Sequence, residues 1–155
     1  MNAVIDRLRG LTVRDVMSRS VVWVTKLQHM ADVATLLLKH ELSTAPVVDE
    51  NGRCVGMLSA TDFLKRDSNA SEWGNAAHRP RPAWTPDDVA ATYMSSGVQA
   101  IAADATLLQA AKVMAAQHVH RLPVVDTSGK PVGIVSTMDV VAALLHALNE
   151  QGIVV

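Results

Sequence analysis

The sequence predicts an α/β (α+β) protein built from two β-α-β-β-α units that form a pseudo-symmetric pair. Three observations lead there: the chain repeats itself, each copy passes through the same order of helical and strand periodicities, and the composition suits a packed core. Of the 155 residues, 49% are hydrophobic and 19% charged, too apolar for a disordered chain. A compact unit of this length buries roughly 70% of its unfolded surface.

The repeat is read by laying the chain on itself. Pro46 to Asp62 (PVVDENGRCVGMLSATD) falls without a gap on Pro123 to Asp139 (PVVDTSGKPVGIVSTMD), an offset of 77. Nine of these 17 positions are identical, where unrelated segments would share about one. Met17-Ser18 falls on Met94-Ser95 at the same offset. Two copies that each hold several elements make a pair rather than a solenoid.

Each copy opens with a short β-prone stretch, Val21-Val22-Trp23-Val24 and Val98-Gln99-Ala100-Ile101. A helix follows. In the second copy Thr106-Leu107-Leu108-Gln109 has capping-box spacing. Leu107, Ala110, Ala111, Met114 and Ala115 then recur on one helical face, matched in the first copy by Met30, Val33, Ala34, Leu37 and Leu38. Both helices should end before Pro46 and Pro123, since the residue ahead of a proline is biased away from the α region. Pro-Val-Val-Asp, a turn with Gly52 or Gly129, and the runs Val55 to Leu58 and Val132 to Val135 read as hairpins. Asp62 and Asp139 mark a second helix in each copy. The repeats are placed at residues 11–66 and 87–146. Residues 67–86, with Pro80, Pro82 and Pro86, read as a connecting loop in which Trp73 and Trp84 cover apolar surface.

Composition also excludes. Fourteen Lys and Arg balance fifteen Asp and Glu, and the sequence pI is near 6.6, which argues against an electrostatic nucleic-acid binder. No apolar run reaches the ~18 residues of a membrane span, and the N-terminus lacks the apolar core of a signal peptide. One cysteine, Cys54, cannot form an internal disulfide. The expectation is a cytoplasmic protein with no membrane insertion.

The doubled pattern, hydrophobic-Pro-Val-Val-Asp-x-x-Gly-x-x-Gly-hydrophobic-hydrophobic-Ser-x-x-Asp behind an amphipathic helix, resembles the cystathionine-β-synthase (CBS) domain. Two copies resemble a CBS pair, or Bateman module, over about residues 11–146. The resemblance implies two units packed sheet to sheet about a pseudo-twofold axis, with two clefts for adenosyl ligands: AMP, ADP, ATP or S-adenosylmethionine. The run VHRLPVVD further resembles the nucleotide-binding repeats of the AMP-activated protein kinase gamma subunit, which implies phosphate contacts for His120 and Arg121. The first copy has Leu42-Ser43-Thr44 there and no cation.

Residue chemistry supports such a site. A carboxylate where a strand passes into a helix can accept hydrogen bonds from two ribose hydroxyls and also favours the helix N-terminus. Asp62 and Asp139 occupy that position. Each could instead be an N-cap only, but a cap alone does not explain Ser59 and Ser136 three residues earlier. Ser59 and Ser136 offer hydroxyls to ribose or phosphate, and Met57 and Ile134, one alternation back, should line the adenine. Gly56 and Gly133 suit backbone packing rather than phosphate binding, having no Gly-rich loop around them. By the resemblance, one cleft joins Val98, Gln99, Val119, His120 and Arg121 to Met57, Ser59 and Asp62. The other joins Val21, Val22, Leu42, Ser43 and Thr44 to Ile134, Ser136 and Asp139. For Arg121 the competing reading is a surface salt bridge.

No catalytic residues and no metal ligands are assigned. His118 and His120 alternate on a segment expected to be extended, which turns them opposite ways, and no cysteine or carboxylate cluster accompanies them. Cys54 is exchanged for Pro131 in the other copy, and no nucleophile, base and oxyanion site can be assembled. The expected function is therefore a non-enzymatic regulatory module that needs no obligatory cofactor. It binds an adenosyl ligand in energy sensing and regulates an unknown partner in trans, since no enzyme, channel or DNA-binding domain is visible. A homodimer is expected through the apolar C-terminal helix, with Val140, Val141, Leu144, Leu145 and Leu148, and through the helix after Asp62. The rival reading is a dimerisation or partner-docking module with vestigial clefts.

Overall fold

The computed structural model describes residues 2–69, 84–97, 99–150 and 152; Val98 and Trp73 lie outside them. In chain order the elements are α1 (Asn2–Gly10), α2 (Val13–Val16), β1 (Val24–Thr25), α3 (Met30–Lys39), β2 (Thr44–Val48), β3 (Cys54–Ser59) and α4 (Ala60–Asn69). There follow α5 (Ala90–Tyr93), β4 (Ser95–Ser96), β5 (Ile101–Ala102), α6 (Leu107–Gln117), β6 (Arg121–Val125), β7 (Pro131–Ser136) and α7 (Thr137–Glu150). The expected β-α-β-β-α order is present twice, as β1-α3-β2-β3-α4 and β5-α6-β6-β7-α7. No helix among the described residues is long and apolar enough to cross a membrane.

Local chemistry explains the helices. Thr106 closes a capping box on α6: its N–H donates to Gln109 Oε1 at 2.8 Å, and Gln109 N–H donates to Thr106 Oγ1 at 3.1 Å. Met30, Val33 and Leu37 of α3, and Leu107, Ala110 and Met114 of α6, are buried; Leu38 and Ala115, read as the ends of the same stripes, are exposed instead. Both helices stop well before the prolines. Beyond α3 and α6, Glu41 (φ 54°) and His118 (φ 53°) turn left-handed, and Leu42 and Val119 donate back to Leu37 and Met114 carbonyls at 2.9 and 3.1 Å.

The chain folds into two compact units, and these exchange segments between the repeats. The first comprises Met1–Val21, Gly52–Cys54 and Val98–Val155; the second comprises Val22–Asn51 and Val55–Gly97. In the first, β5 lies parallel to β6 and β6 antiparallel to β7, over a core of Val13, Leu107, Met114, Leu122, Val124 and Val135. In the second, β1 lies parallel to β2, and the sheet order is β1-β2-β3-β4. Its core holds Val24, Met30, Val33, Val47, Leu58 and Ala90. The leading strands are shorter and later than the β-prone stretches, because Val24 and Ile101 are the residues that reach the core while Val21 and Val22 lie outside the ladder.

The exchange is symmetric. α2 belongs to the first repeat by sequence but packs in the first unit, with the second repeat. Val13 N–H donates to Ala105 O and Arg14 N–H to Ala103 O, both at 2.8 Å, and Ser18 pairs with Ile134 through bonds of 2.9 and 3.0 Å. Seventy-seven residues on, α5 and β4 do the same in the second unit. There Ala90 and Ala91 donate to Gln28 and Lys26 carbonyls at 2.9 Å, and β4 pairs antiparallel with β3. The sequence signals this only through the matched Met-Ser pairs. Gly56 and Gly133 receive the incoming segments, which is the packing role expected of them.

Two further features complete the units. α1, not anticipated from its interrupted apolar pattern, buries Val4, packs Leu8 on the first core and pairs Arg7 with Glu150 at 3.4 Å. Trp84 packs on the second core, edge-to-face with Phe63 at 5.6 Å and Tyr93 at 6.0 Å; it covers apolar surface, as read from the sequence.

Candidate functional site

Each Ser-x-x-Asp sits at a strand-to-helix junction and forms a helix-capping arrangement. Ser59 N–H and Oγ donate to Asp62 Oδ2 at 2.7 and 3.1 Å. Ser136 N–H and Oγ donate to Asp139 Oδ2 at 2.7 and 2.8 Å, and Asp139 N–H returns a 3.2 Å bond to Ser136 Oγ. This corrects one step of the sequence argument. The serine three residues earlier is what a capping box demands, with Ser as N-cap and Asp at the third helical position. The spacing by itself therefore does not favour a ligand over a cap. Each carboxylate is held through Oδ2. Asp62 is 4% exposed and its Oδ1 lies 3.5 Å from Lys65 Nζ. Asp139 is partly exposed, and its Oδ1 has no hydrogen-bond partner among the described residues.

In the first unit the segment ahead of β6 is brought beside this junction. Arg121 is the register partner of Ser136, so the two side chains leave the same face of the sheet. Thr137 N–H donates to His120 O at 3.0 Å, which seats His120 at the start of α7. Val119 is half-buried, while His120 and Arg121 are exposed. The Arg121 side chain makes no ion pair and no hydrogen bond among the described residues, so the competing salt-bridge reading finds no partner there. Gln99 Oε1 accepts from Gln117 Nε2 at 2.9 Å. Ile134 alternates with the buried Val135 and shares its face with Ser136.

The second unit repeats this geometry without the His-Arg pair. Ser43 O accepts from Ala60 N–H at 2.9 Å, placing Ser43 at the start of α4 as His120 is placed at α7. Leu42 and Thr44 are half-buried and Ser43 is exposed. Met57 is 7% exposed and Val22 is half-buried; Val21, also half-buried, is the last residue of the first unit's opening segment. Thus the structure assembles each pre-strand segment with the Ser-x-x-Asp of its own repeat. The His120-Arg121 segment lies in the first unit and its uncharged counterpart, Ser43-Thr44, in the second.

The two histidines behave differently from the expectation. His118 is left-handed, which breaks strand alternation, and His118 and His120 both border one apolar groove of about 360 Å³ on α6 and α7. No group of three or more His, Cys, Asp or Glu suited to a metal occurs among the described residues.

Fold and junctions define a class, the paired domains built from two β-α-β-β-α repeats with a Ser-x-x-Asp at each second helix. The CBS domain family matches residues 13–69 and again 88–146, and the chain belongs to it. The uncharacterized protein MJ1426 of Methanocaldococcus jannaschii is 28% identical over 156 residues, covering 87% of this chain and 92% of that one. Three further curated relatives are longer, and the chain spans 62%, 66% and 45% of their lengths. Among solved structures, CBSX2, a chloroplast protein of Arabidopsis thaliana, in complex with AMP has a TM-score of 0.70 at 27% identity, covering 88% of this chain and 98% of that chain. The CBS domain pair of MJ0100, in complex with 5′-methylthioadenosine and S-adenosyl-L-methionine, shares the fold at a TM-score of 0.69 and 23% identity, over 88% and 97% of the two chains.

Proposed function

We propose that this protein is a regulatory module that binds an adenosyl ligand (AMP, ADP, ATP or S-adenosylmethionine) without turning it over, and regulates a partner in trans. The observation that carries the reading is Arg121: an exposed guanidinium with no partner among the described residues, in register with Ser136 and next to His120. A guanidinium held at the start of β6, the middle strand of its sheet, suits a bidentate phosphate contact. Asp62 and Asp139, already oriented by their serines, suit ribose hydroxyls. The AMP in the CBSX2 structure supports the ligand class. Following the family resemblance, Arg121 works with Met57, Ser59 and Asp62, and Ser43 and Thr44 work with Ile134, Ser136 and Asp139. Nothing in these residues supplies a nucleophile with its base, so the role is sensing rather than catalysis, in the cytoplasm.

The protein acts as a homodimer in this reading. Met138, Val141, Leu144 and Leu145 of α7 and Leu64 of α4 are each more than 40% exposed, an apolar surface of the kind that marks association. The same surface favours a second reading, a dimerisation or docking module whose nucleotide sites are vestigial.

Thermal unfolding with and without AMP, ADP, ATP and S-adenosylmethionine separates the two. A binder gains about 2.7 kcal/mol at one hundred times Kd. No shift and no calorimetric heat at millimolar ligand would leave the docking module.

A further inference from the structure

Within the first unit, α1, α2 and α7 enclose a cavity of about 520 Å³, the size of a small-molecule site. Its charges are divided between two ends. On α7 both Asp139 and His146 line it, and they stand about 10 Å apart along the helix at a rise of ~1.5 Å per residue. Asp15 of α2 also lines it. Ser18, just beyond α2, pairs with Ile134, just ahead of Ser136, which sets Asp15 toward the Asp139 end of α7. Arg7 of α1 belongs to the other end, because Arg7 Nε and His146 Nε2 lie 3.4 and 3.1 Å from the two carboxylate oxygens of Glu150. Glu150 does not itself line the cavity. Between the ends the wall is bare: Ala142 contributes a methyl, and a Cβ added at Gly10 would meet nothing within 4 Å.

Such a cavity is matched by a ligand that is cationic near its middle and ends in a carboxylate. Asp15 and Asp139 each commit Oδ2 to a cap, and neither Oδ1 has a partner among the described residues. The grip on Glu150 shows that Arg7 and His146 can hold a carboxylate. Resting on the adenosyl-ligand reading above, we infer that the Asp139 site takes a 5′-sulfonium nucleoside of the S-adenosylmethionine type rather than a nucleotide. Its ribose hydroxyls meet Asp139, its sulfonium lies by Asp15, and its aminoacyl arm runs past Ala142 and Gly10. The terminal carboxylate then displaces Glu150 from Arg7 and His146. A nucleotide in the same place would bring its phosphates against Asp15, where like charges repel. The two sites thus divide the adenosyl ligands, phosphorylated ones to Arg121 and the sulfonium to Asp139.

Calorimetric titration of the full-length protein compares S-adenosylmethionine with 5′-methylthioadenosine, which lacks both the arm and the charge. S-adenosylmethionine is expected to bind roughly tenfold tighter. Arg7 and Ala142 are exposed, so Arg7→Gln and Ala142→Leu leave the fold intact. Each should remove most of that preference, the first by loss of the carboxylate contact and the second by filling the cavity, with 5′-methylthioadenosine unaffected. Glu150→Gln removes the competing carboxylate and should tighten S-adenosylmethionine; weaker binding would show that the Arg7–Glu150 pair only braces α1 on α7, and would overturn the inference. Equal affinities for the two ligands, or a preference that survives Arg7→Gln, would overturn it while leaving the adenosyl reading standing. Binding of ATP that fell with Arg7→Gln while S-adenosylmethionine did not would give the cavity to a polyphosphate and overturn the sulfonium assignment. No heat with any adenosyl compound would overturn the adenosyl reading, and this inference with it.

Discussion

Gly133 lies against Met17: a Cβ added to it would stand 2.6 Å from the Met17 Sδ and 2.9 Å from the Ser18 carbonyl oxygen. Gly56 meets Met94 and Ser95 in the same way, at 2.9 Å from the Met94 Sδ and 2.7 Å from the Ser95 carbonyl oxygen. The methionine can swing aside, but the carbonyls belong to backbone locked into the neighbouring strand. Gly133→Ala and Gly56→Ala should therefore each destabilise the protein by about 1–3 kcal/mol, the cost of overpacking a fitted contact. Urea denaturation of each variant checks this, and an unchanged midpoint would show that the exchanged segments are loosely held.

How much of this was legible depended on the range of the interaction. The α3 and α6 stripes and the Thr106 box are local periodicities; the box is present as read, and the stripes hold except at their last positions, Leu38 and Ala115, which are exposed because the core ends one turn earlier. The hairpin order followed from turn residues and short apolar runs. The exchange of α2 and α5 did not follow, because four-residue helices carry almost no period, and which unit Val13 or Ala90 enters is a long-range choice. α1 was hidden by charge between Val4 and Leu8. At the site, Ser59-x-x-Asp62 was found for a reason only partly right, since a capping box and a ribose contact ask for the same residues. The groove was missed because the left-handed turn at His118 cannot be read from a non-glycine residue.

That turn gives a second prediction. A left-handed backbone costs a side-chain-bearing residue roughly 1–2 kcal/mol, partly offset by the greater unfolded-state freedom of glycine. His118→Gly should stabilise the protein by about 0.5–1 kcal/mol, and Glu41→Gly (φ 54°) should act likewise. Denaturation midpoints test both. A loss of stability in His118→Gly would mean that the imidazole makes a contact worth more than the strain.

The proposed dimer gives a third. Leu145 is 45% exposed on α7, and a charge placed there would be buried without a partner in an associated pair. Wild-type protein should scatter as about twice 16.6 kDa, and Leu145→Glu should scatter as the monomer with its thermal midpoint little changed.

A fourth concerns acid. The Thr12 backbone N–H and, next, the Thr12 hydroxyl donate to Asp15, both at 2.8 Å, and hold its carboxyl below the ordinary value of 3.8. A depressed carboxyl contributes stability that is present above its unfolded value and lost as pH falls through the folded one. Asp15→Asn should therefore be less stable than wild type at neutral pH, and the gap should close below about pH 3.8. A gap independent of pH would assign the effect to helix capping geometry rather than charge.

The last prediction tests the assignment of the two sites. Of the two proposed sites, the one containing Arg121 has the His-Arg pair, since Thr44 and Ser43 stand at the positions of Arg121 and His120 in the other repeat. Charge-assisted bonds to phosphate contribute about 1.5–3 kcal/mol, or tenfold and more in affinity. Arg121→Ala should thus weaken AMP at least tenfold and adenosine little. The ribose partner needs a variant that spares the helix cap. Asp62→Asn keeps an acceptor for the Ser59 N–H, whereas Asp62→Ala would remove the cap, at about 1 kcal/mol, along with the ribose contact. Asp62→Asn should weaken AMP and adenosine together in the Arg121 site, with Asp139→Asn acting on the other. Calorimetric titration of the three variants resolves the pairing. Were Asp139→Asn to empty the Arg121 site, Arg121 would work with the Ser136-x-x-Asp139 of its own repeat, the set it already neighbours across β6 and β7.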